Sequence, residues 1–234
     1  MNSLILTSEN TVVTDPEILR HLTQTIKVQV GDVLKVTVLE HGIGKAKILS
    51  VSDCQINLEI LEIKTAKNPW FDLIVGVSRP QTMKKILEHA TTFGANSFHF
   101  YQAALSEKSY LTSKIYEADS MNELTTLGLA QATIYAKKPE LKLYAYNPAT
   151  HFESFQQKYI LDLNGTNSFL DEKIDFTQPI VLSVGPERGF IPEDLEYFKK
   201  AGFKSIKISS TVLRVEHAIY SAISQLEMLK GDLC

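Results

Sequence analysis

From residue 71 onward, short apolar runs alternate with helical patterns, and that alternation dictates a mostly parallel α/β sheet. Residues 71–77 are a near-continuous apolar run that predicts a strand. Residues 81–93 predict a helix, with Met83, Ile86, Leu87 and Ala90 on one face and Gly94 as its stop. The pattern then predicts a strand at 97–101, a helix at 121–135, and strands at 141–146, 159–163 and 180–184. A helix at 192–201, with proline near its start, and a strand at 204–208 follow. Residues 215–229 predict a closing amphipathic helix, with Val215, Ile219, Ala222, Leu226 and Leu229 in register.

The first 68 residues read differently. Asp15-Pro16-Glu17 is a helix start, with an acceptor at the N-cap and proline at the first helical position. Ile18, Leu19, Leu22 and Ile26 give that helix a short apolar face. Three β-rich runs follow at 33–39, 46–51 and 56–63, and His41-Gly42-Ile43-Gly44 is expected to turn between the first two. The result is a compact meander or small barrel. Asn68-Pro69 marks a boundary, so domains at 1–68 and 69–234 are expected.

Composition narrows the function classes. The chain is 44% apolar and 22% charged, ordinary for a globular protein, and no apolar run is long enough to span a membrane. The first residues lack the basic region and apolar core of a secretory signal, so a cytoplasmic protein is expected. Cys54 and Cys234 are too few and too far apart for a metal-ligand cluster, the six histidines carry no His-Glu-x-x-His, and no metal is expected. There is no Gly-x-Ser-x-Gly elbow. The net charge of −3 argues against a general polyanion binder, though not against local basic patches such as Lys45 with Lys47, Lys84 with Lys85, or Lys108 with Lys114.

Two strand-to-helix loops concentrate the chemistry. Gly185-Pro186-Glu187-Arg188-Gly189 follows the strand at 180–184, and its glycines let backbone approach a ligand closely while its proline stiffens the turn. Arg214 and Glu216 stand at a helix start after Ser209-Ser210-Thr211, where an arginine can hold a carboxylate, a phosphate or a base edge. In one parallel sheet the two loops would share a pocket at the carboxyl ends of the strands. Blander readings fit as well: an ordinary βα turn with a surface Glu-Arg pair, a Glu216 placed to suit the helix dipole, and a packed or surface His217.

Taken together, Gly185-Pro186-Glu187-Arg188-Gly189-Phe190 and Leu213-Arg214-Val215-Glu216-His217-Ala218 resemble the paired motifs of the bacterial 16S ribosomal RNA uracil-N3 methyltransferases. These are the small-subunit methyltransferase E family of the SPOUT superfamily. Arg20-His21-Leu22, Val30-Gly31-Asp32 and residues 80–94 extend the likeness upstream. The resemblance implies a PUA-like β-barrel at 1–68 and a trefoil-knotted SPOUT domain at 69–234. It implies S-adenosylmethionine (SAM) as cofactor, with Leu182, Ser183, Gly185, Pro186, Glu187, Arg188, Gly189, Ile208 and Leu213 around it. Arg214 and Glu216 would be catalytic, and Lys45, Lys47, Arg79, Lys84 and Lys108 would meet RNA. The implied partners are the 16S rRNA of the small ribosomal subunit and a second copy of the chain. The chain departs from the family pattern on the RNA side. Its first strand lacks an arginine, Arg79 replaces a lysine, Ser106-Glu107-Lys108 stands for Ser-Glu-Arg, and Gln131-Ala132-Thr133-Ile134 lacks an arginine. Another SPOUT activity, such as ribose 2′-O methylation, and RNA binding without catalysis therefore stand as alternatives.

Overall fold

The computed structural model describes residues 2–7 and 11–231. Contacts divide the chain into two units, Met1–Asn68 with Thr126–Lys138, and Pro69–Thr125 with Pro139–Cys234.

The smaller unit is a five-stranded sheet of β1 (Leu4–Leu6), β2 (Val12–Val13), β3 (Val33–Val38), β4 (Gly42–Val51) and β5 (Ile56–Lys64), in the order β1-β3-β4-β5-β2. β1 lies parallel to β3, and the other pairs are antiparallel. Its core includes Leu4, Leu22, Val36, Val38, Ala46, Ile48 and Ile56. Asp15 caps α1 (Pro16–Arg20) by accepting from the N–H groups of Glu17 and Ile18, at 2.9 and 3.0 Å. The helix continues as a π-helical turn, His21–Ile26, and ends at Lys27 in the left-handed region.

Two expectations are corrected here. The turn between β3 and β4 is made by residues 39–41, with Glu40 at φ 62°, and Gly42 and Gly44 lie inside β4. They are needed for close approach: a Cβ on Gly42 would strike the carbonyl oxygen of Lys64, and one on Gly44 that of Glu62. Residues 126–138, expected within the 69–234 domain, group with the smaller unit. The backbone N–H groups of Ser3, Glu40 and Lys67 donate to the carbonyls of Ala130, Ala136 and Ile134 at 2.8–2.9 Å. The short strands β1 and β2 leave no periodic signal in three and two residues.

The larger unit is an all-parallel six-stranded sheet. Its strands are β6 (Phe71–Gly76), β7 (Ala95–Tyr101), β8 (Glu140–Tyr144), β9 (Gln157–Leu161), β10 (Ile180–Val184) and β11 (Lys204–Ile206), ordered β11-β9-β10-β6-β7-β8. Its helices are α2 (Pro80–Thr92), the first half of α3 (Ala118–Ala132), α4 (Pro192–Lys200) and α5 (Val215–Lys230), while residues 126–132 of α3 group with the smaller unit. Both sheet faces are covered, which is why β6 and β10 are apolar almost throughout. Leu73, Val75, Leu182 and Val184 pack with Met83 and Ile86 of α2 and Ile219 and Ile223 of α5. Ile74, Ile160 and Val181 pack on the opposite face with Phe198 of α4.

Boundaries shift where polar letters hide a strand. β9 begins at Gln157 rather than 159, because Lys158 is buried and its ammonium donates to the carbonyls of Ala201 at 2.7 Å and Glu153 at 3.1 Å. The helix expected at 121–135 is α3, three residues earlier at each end. On α5, Val215, Ile219, Ala222 and Leu226 are buried as their register requires, whereas Leu229 is 39% exposed. That apolar face is thus largely used within the chain.

Candidate active site

β10 is third in the six-strand order, and its carboxyl end carries the first loop. Successive side chains alternate between faces. Leu182 is spent in the core beneath α2 and α5 and has only backbone to offer a ligand. Ser183 points to the other face, fully buried, and its hydroxyl has no hydrogen-bond partner among the described residues. The chain then turns tightly: the Gly189 N–H donates to the Pro186 carbonyl at 2.8 Å, and Gly189 sits at φ 75°, where a glycine is favoured. Gly185 and Pro186 are buried, whereas Glu187 and Arg188 are exposed. Neighbouring β6 makes room for this turn: a Cβ on Gly76 would lie 2.6 Å from Pro186 Cδ and 2.8 Å from its nitrogen. The Glu187 carboxylate reaches across to accept from the Arg79 N–H, at 2.7 Å, where α2 begins.

The second loop leaves β11 at Ile206, two residues before the strand end read from sequence, and runs without regular structure to α5. Ile208 is half-buried, and its carbonyl accepts from Gln225 Nε2 at 2.9 Å. Leu213 is half-buried. Arg214 is the extended N-cap residue of α5 and is exposed. Glu216, in the first turn of α5, is 3% exposed and ion-paired with Lys85 of α2 at 3.2 Å. Burial pushes its carboxyl up, but its own backbone N–H, the Lys85 ammonium and His217 outweigh burial and hold it below its ordinary value. Glu216 is therefore a carboxylate at neutral pH, and its partner is Lys85 rather than Arg214.

α2 anchors both loops. Arg79 and Lys85, which hold the two motif carboxylates, are six residues apart, about 9 Å along a helix. Lys85 had no special standing in the sequence beyond a basic pair with Lys84, because its partner lies 131 residues away.

The basic residues expected to meet RNA are all exposed. Arg79, Lys84 and Lys108 belong to the larger unit, Lys108 opening a 3-10 turn, Lys108–Thr112. Lys45 and Lys47 project from the outer face of β4, with Ala46 and Ile48 turned inward. Lys45 is paired with Glu62 at 3.0 Å, and Lys47 stands opposite Glu59. Lys35 of β3, directly opposite Lys45, adds a third lysine that the sequence reading missed.

A separate buried chain lies in the same sheet, in which Ser97 Oγ donates to Asp72 at 2.5 Å and meets His99 Nε2 at 2.8 Å. Burial, helped by Lys142, lowers the His99 pKa to about 4, so its ring is neutral at physiological pH. Among the described residues no group of three or more His, Cys, Asp or Glu could hold a metal, and no helix is long and apolar enough to cross a membrane. Cys54 is exposed, and Cys234 lies outside the described residues.

A family model for the RNA methyltransferase domain matches residues 65–227, more than half of the chain and both loops. The chain belongs to this family. It is 29% identical over 154 residues to ribosomal RNA small subunit methyltransferase E 1 of Borreliella burgdorferi, a match covering 64% of this chain and 63% of that protein. It is 25% identical over 211 residues to ribosomal RNA small subunit methyltransferase E of Treponema pallidum, covering 86% and 79%. In fold it is similar to ribosomal RNA small subunit methyltransferase E from Neisseria gonorrhoeae, solved bound to S-adenosyl methionine. The TM-score is 0.79 over 97% of this chain and 98% of that one, at 18% identity.

Proposed function

We propose that this protein transfers the methyl group of SAM to N3 of a uridine in the 16S rRNA of the small ribosomal subunit. The observation that carries the reading is the convergence of both family motifs on the first turns of α2. The cradle suits SAM. Gly185 has neighbours at 3.1–3.3 Å on the side where a Cβ would stand, so bare backbone lines the turn, and the unpartnered Ser183 hydroxyl is a free donor and acceptor beside it. Gly185, Pro186 and Gly189 would hold the cofactor by backbone, with Ile208 and Leu213 as half-buried apolar walls and Glu187 and Arg188 at the rim. When bound, SAM supplies a methyl group already activated on a sulfonium.

What the chain must add is position and charge. Uracil N3 is a poor nucleophile while it carries its proton. Arg214 stands exposed at the N-terminus of α5, where the helix dipole also favours negative charge, and so stabilises the N3 anion through the flanking oxygens. Glu216, buried and paired, holds the loop in this reading instead of receiving the proton directly, so the N3 proton passes to solvent water before the methyl group is transferred. N3 lies on the pairing edge, so the target base must be unpaired or flipped out. Nucleosides of 16S rRNA from a deletion strain should lack N3-methyluridine and regain it on complementation. Loss of a ribose-methylated nucleoside instead would sink the uracil assignment.

The finer assignments are also proposals. The small β-unit is read as a PUA-like RNA-docking domain, and the C-terminal part of the larger unit as a trefoil knot, which the strand order and the family resemblance support. A cytoplasmic homodimer is proposed on the same resemblance, and light scattering that finds only a 26.3 kDa species would reject the dimer. If β4 docks rRNA, Lys45→Ala with Lys47→Ala should weaken binding of a 16S fragment and leave SAM affinity unchanged. The log–log salt dependence should flatten by about 0.7 for each lost single-strand phosphate contact. Lys47 should account for more of the change, since Lys45 already shares its charge with Glu62. Wild-type binding by the double variant at every salt concentration would remove β4 from the RNA interface.

A further inference from the structure

We propose that Lys85 is a positioning residue for the second loop: its ammonium holds the Glu216 carboxylate and thereby fixes residues 213–216 against α2. The proposal rests on the SAM reading of that loop and assigns its support to a residue outside both motifs. α5 is tied to α2 at one residue in two ways. The Lys85 side chain meets Glu216 at 3.2 Å, and the Lys85 carbonyl accepts from the Tyr220 hydroxyl at 2.9 Å. The Tyr220 ring stacks on Phe93, 6.1 Å between centroids, and leans on His89 at 5.4 Å.

The asymmetry of the pair makes Lys85 decisive. Its side chain is 49% exposed and solvated, whereas that of Glu216 is 4% exposed. A buried carboxylate deprived of its cation must take up a proton or swing toward water. Either change loosens the first turn of α5, which Arg214 caps and Leu213 precedes. The charged and titratable groups facing Glu216 are Lys85 from α2 and His217 and Tyr220 from α5, with Glu88 of α2 also acting on Tyr220. His217 is exposed and does not replace the Lys85 ammonium at the Glu216 carboxylate.

SAM affinity of the full-length protein, measured by calorimetry from about pH 5 to pH 8, tests the idea together with carbon-detected NMR titration of Glu216 in the free protein. The wild type should bind with little pH dependence. Lys85→Met and Lys85→Gln should bind about tenfold or more weakly, as when a supporting partner of a binding residue is lost. Their affinity should fall further on acidification as Glu216 protonates, and its titration should move up. Lys85→Arg should restore both properties, and Lys85→Met combined with Glu216→Gln should lose the pH dependence. Wild-type affinity with a flat pH profile in both truncated variants, or an unmoved Glu216 titration, would overturn the proposal. If the wild type bound no SAM while the Glu216 titration still moved up in the variants, the ion-pair clamp would stand and the cofactor reading would fall.

Discussion

Gly185→Trp is expected to abolish SAM binding while the protein remains folded. At this position a Cβ alone would lie 3.1 Å from the Gly189 carbonyl carbon and 3.3 Å from both Gly189 Cα and the Phe190 ring. An indole cannot fit in that direction without displacing the Gly189–Phe190 backbone, and so distorts the turn whose backbone would meet the cofactor. Calorimetry should show affinity reduced by a factor of about 100 or more, and overpacking should lower stability by about 1–3 kcal/mol. Gly76→Ala should act on the same loop from beneath, because its Cβ would push Pro186 by several tenths of an ångström. Wild-type affinity in Gly185→Trp would place the cofactor elsewhere.

Arg214→Ala should depress methylation far more than it affects binding. A donor or cation aimed at charge that develops in the reaction contributes about 10²–10³ in kcat, whereas an exposed arginine at the helix start adds little to folding. SAM and RNA affinities should stay within a few-fold of wild type. Without the guanidinium the uracil must lose its proton unaided, so the variant's rate should climb with pH beyond the point where the wild-type rate levels off. An unchanged single-turnover rate would show that the charge at N3 is stabilised by another group.

The elements of the larger unit were legible in the sequence because each is written in local periodicity. The apolar run of β6, the face of α2 closed by Gly94, and the spacing of Val215, Ile219, Ala222 and Leu226 need no distant residue to be recognised. Both loops were legible for the same reason, as glycine-rich or cap-rich punctuation between a strand and a helix. Errors arose where a contact overrides local chemistry. Gly42 and Gly44 look like turn residues until β5 passes over them, and Lys158 looks like a loop residue until carbonyls of Glu153 and Ala201 enclose its ammonium.

By itself, then, the sequence determined the α/β class of the larger unit and the small β-unit ahead of it. It also determined the two motifs that place the chain among the RNA methyltransferases. Only the tertiary structure decided how those motifs are held. β6 and β10 are neighbours although more than a hundred residues separate them, and that pairing sets Gly76 against Pro186, Arg79 against Glu187 and Lys85 against Glu216. Periodicity and turn chemistry are short-range and can be read along the chain. The choice of a buried carboxylate's partner depends on which strands lie side by side, and the order of a parallel sheet is set by packing across the whole unit.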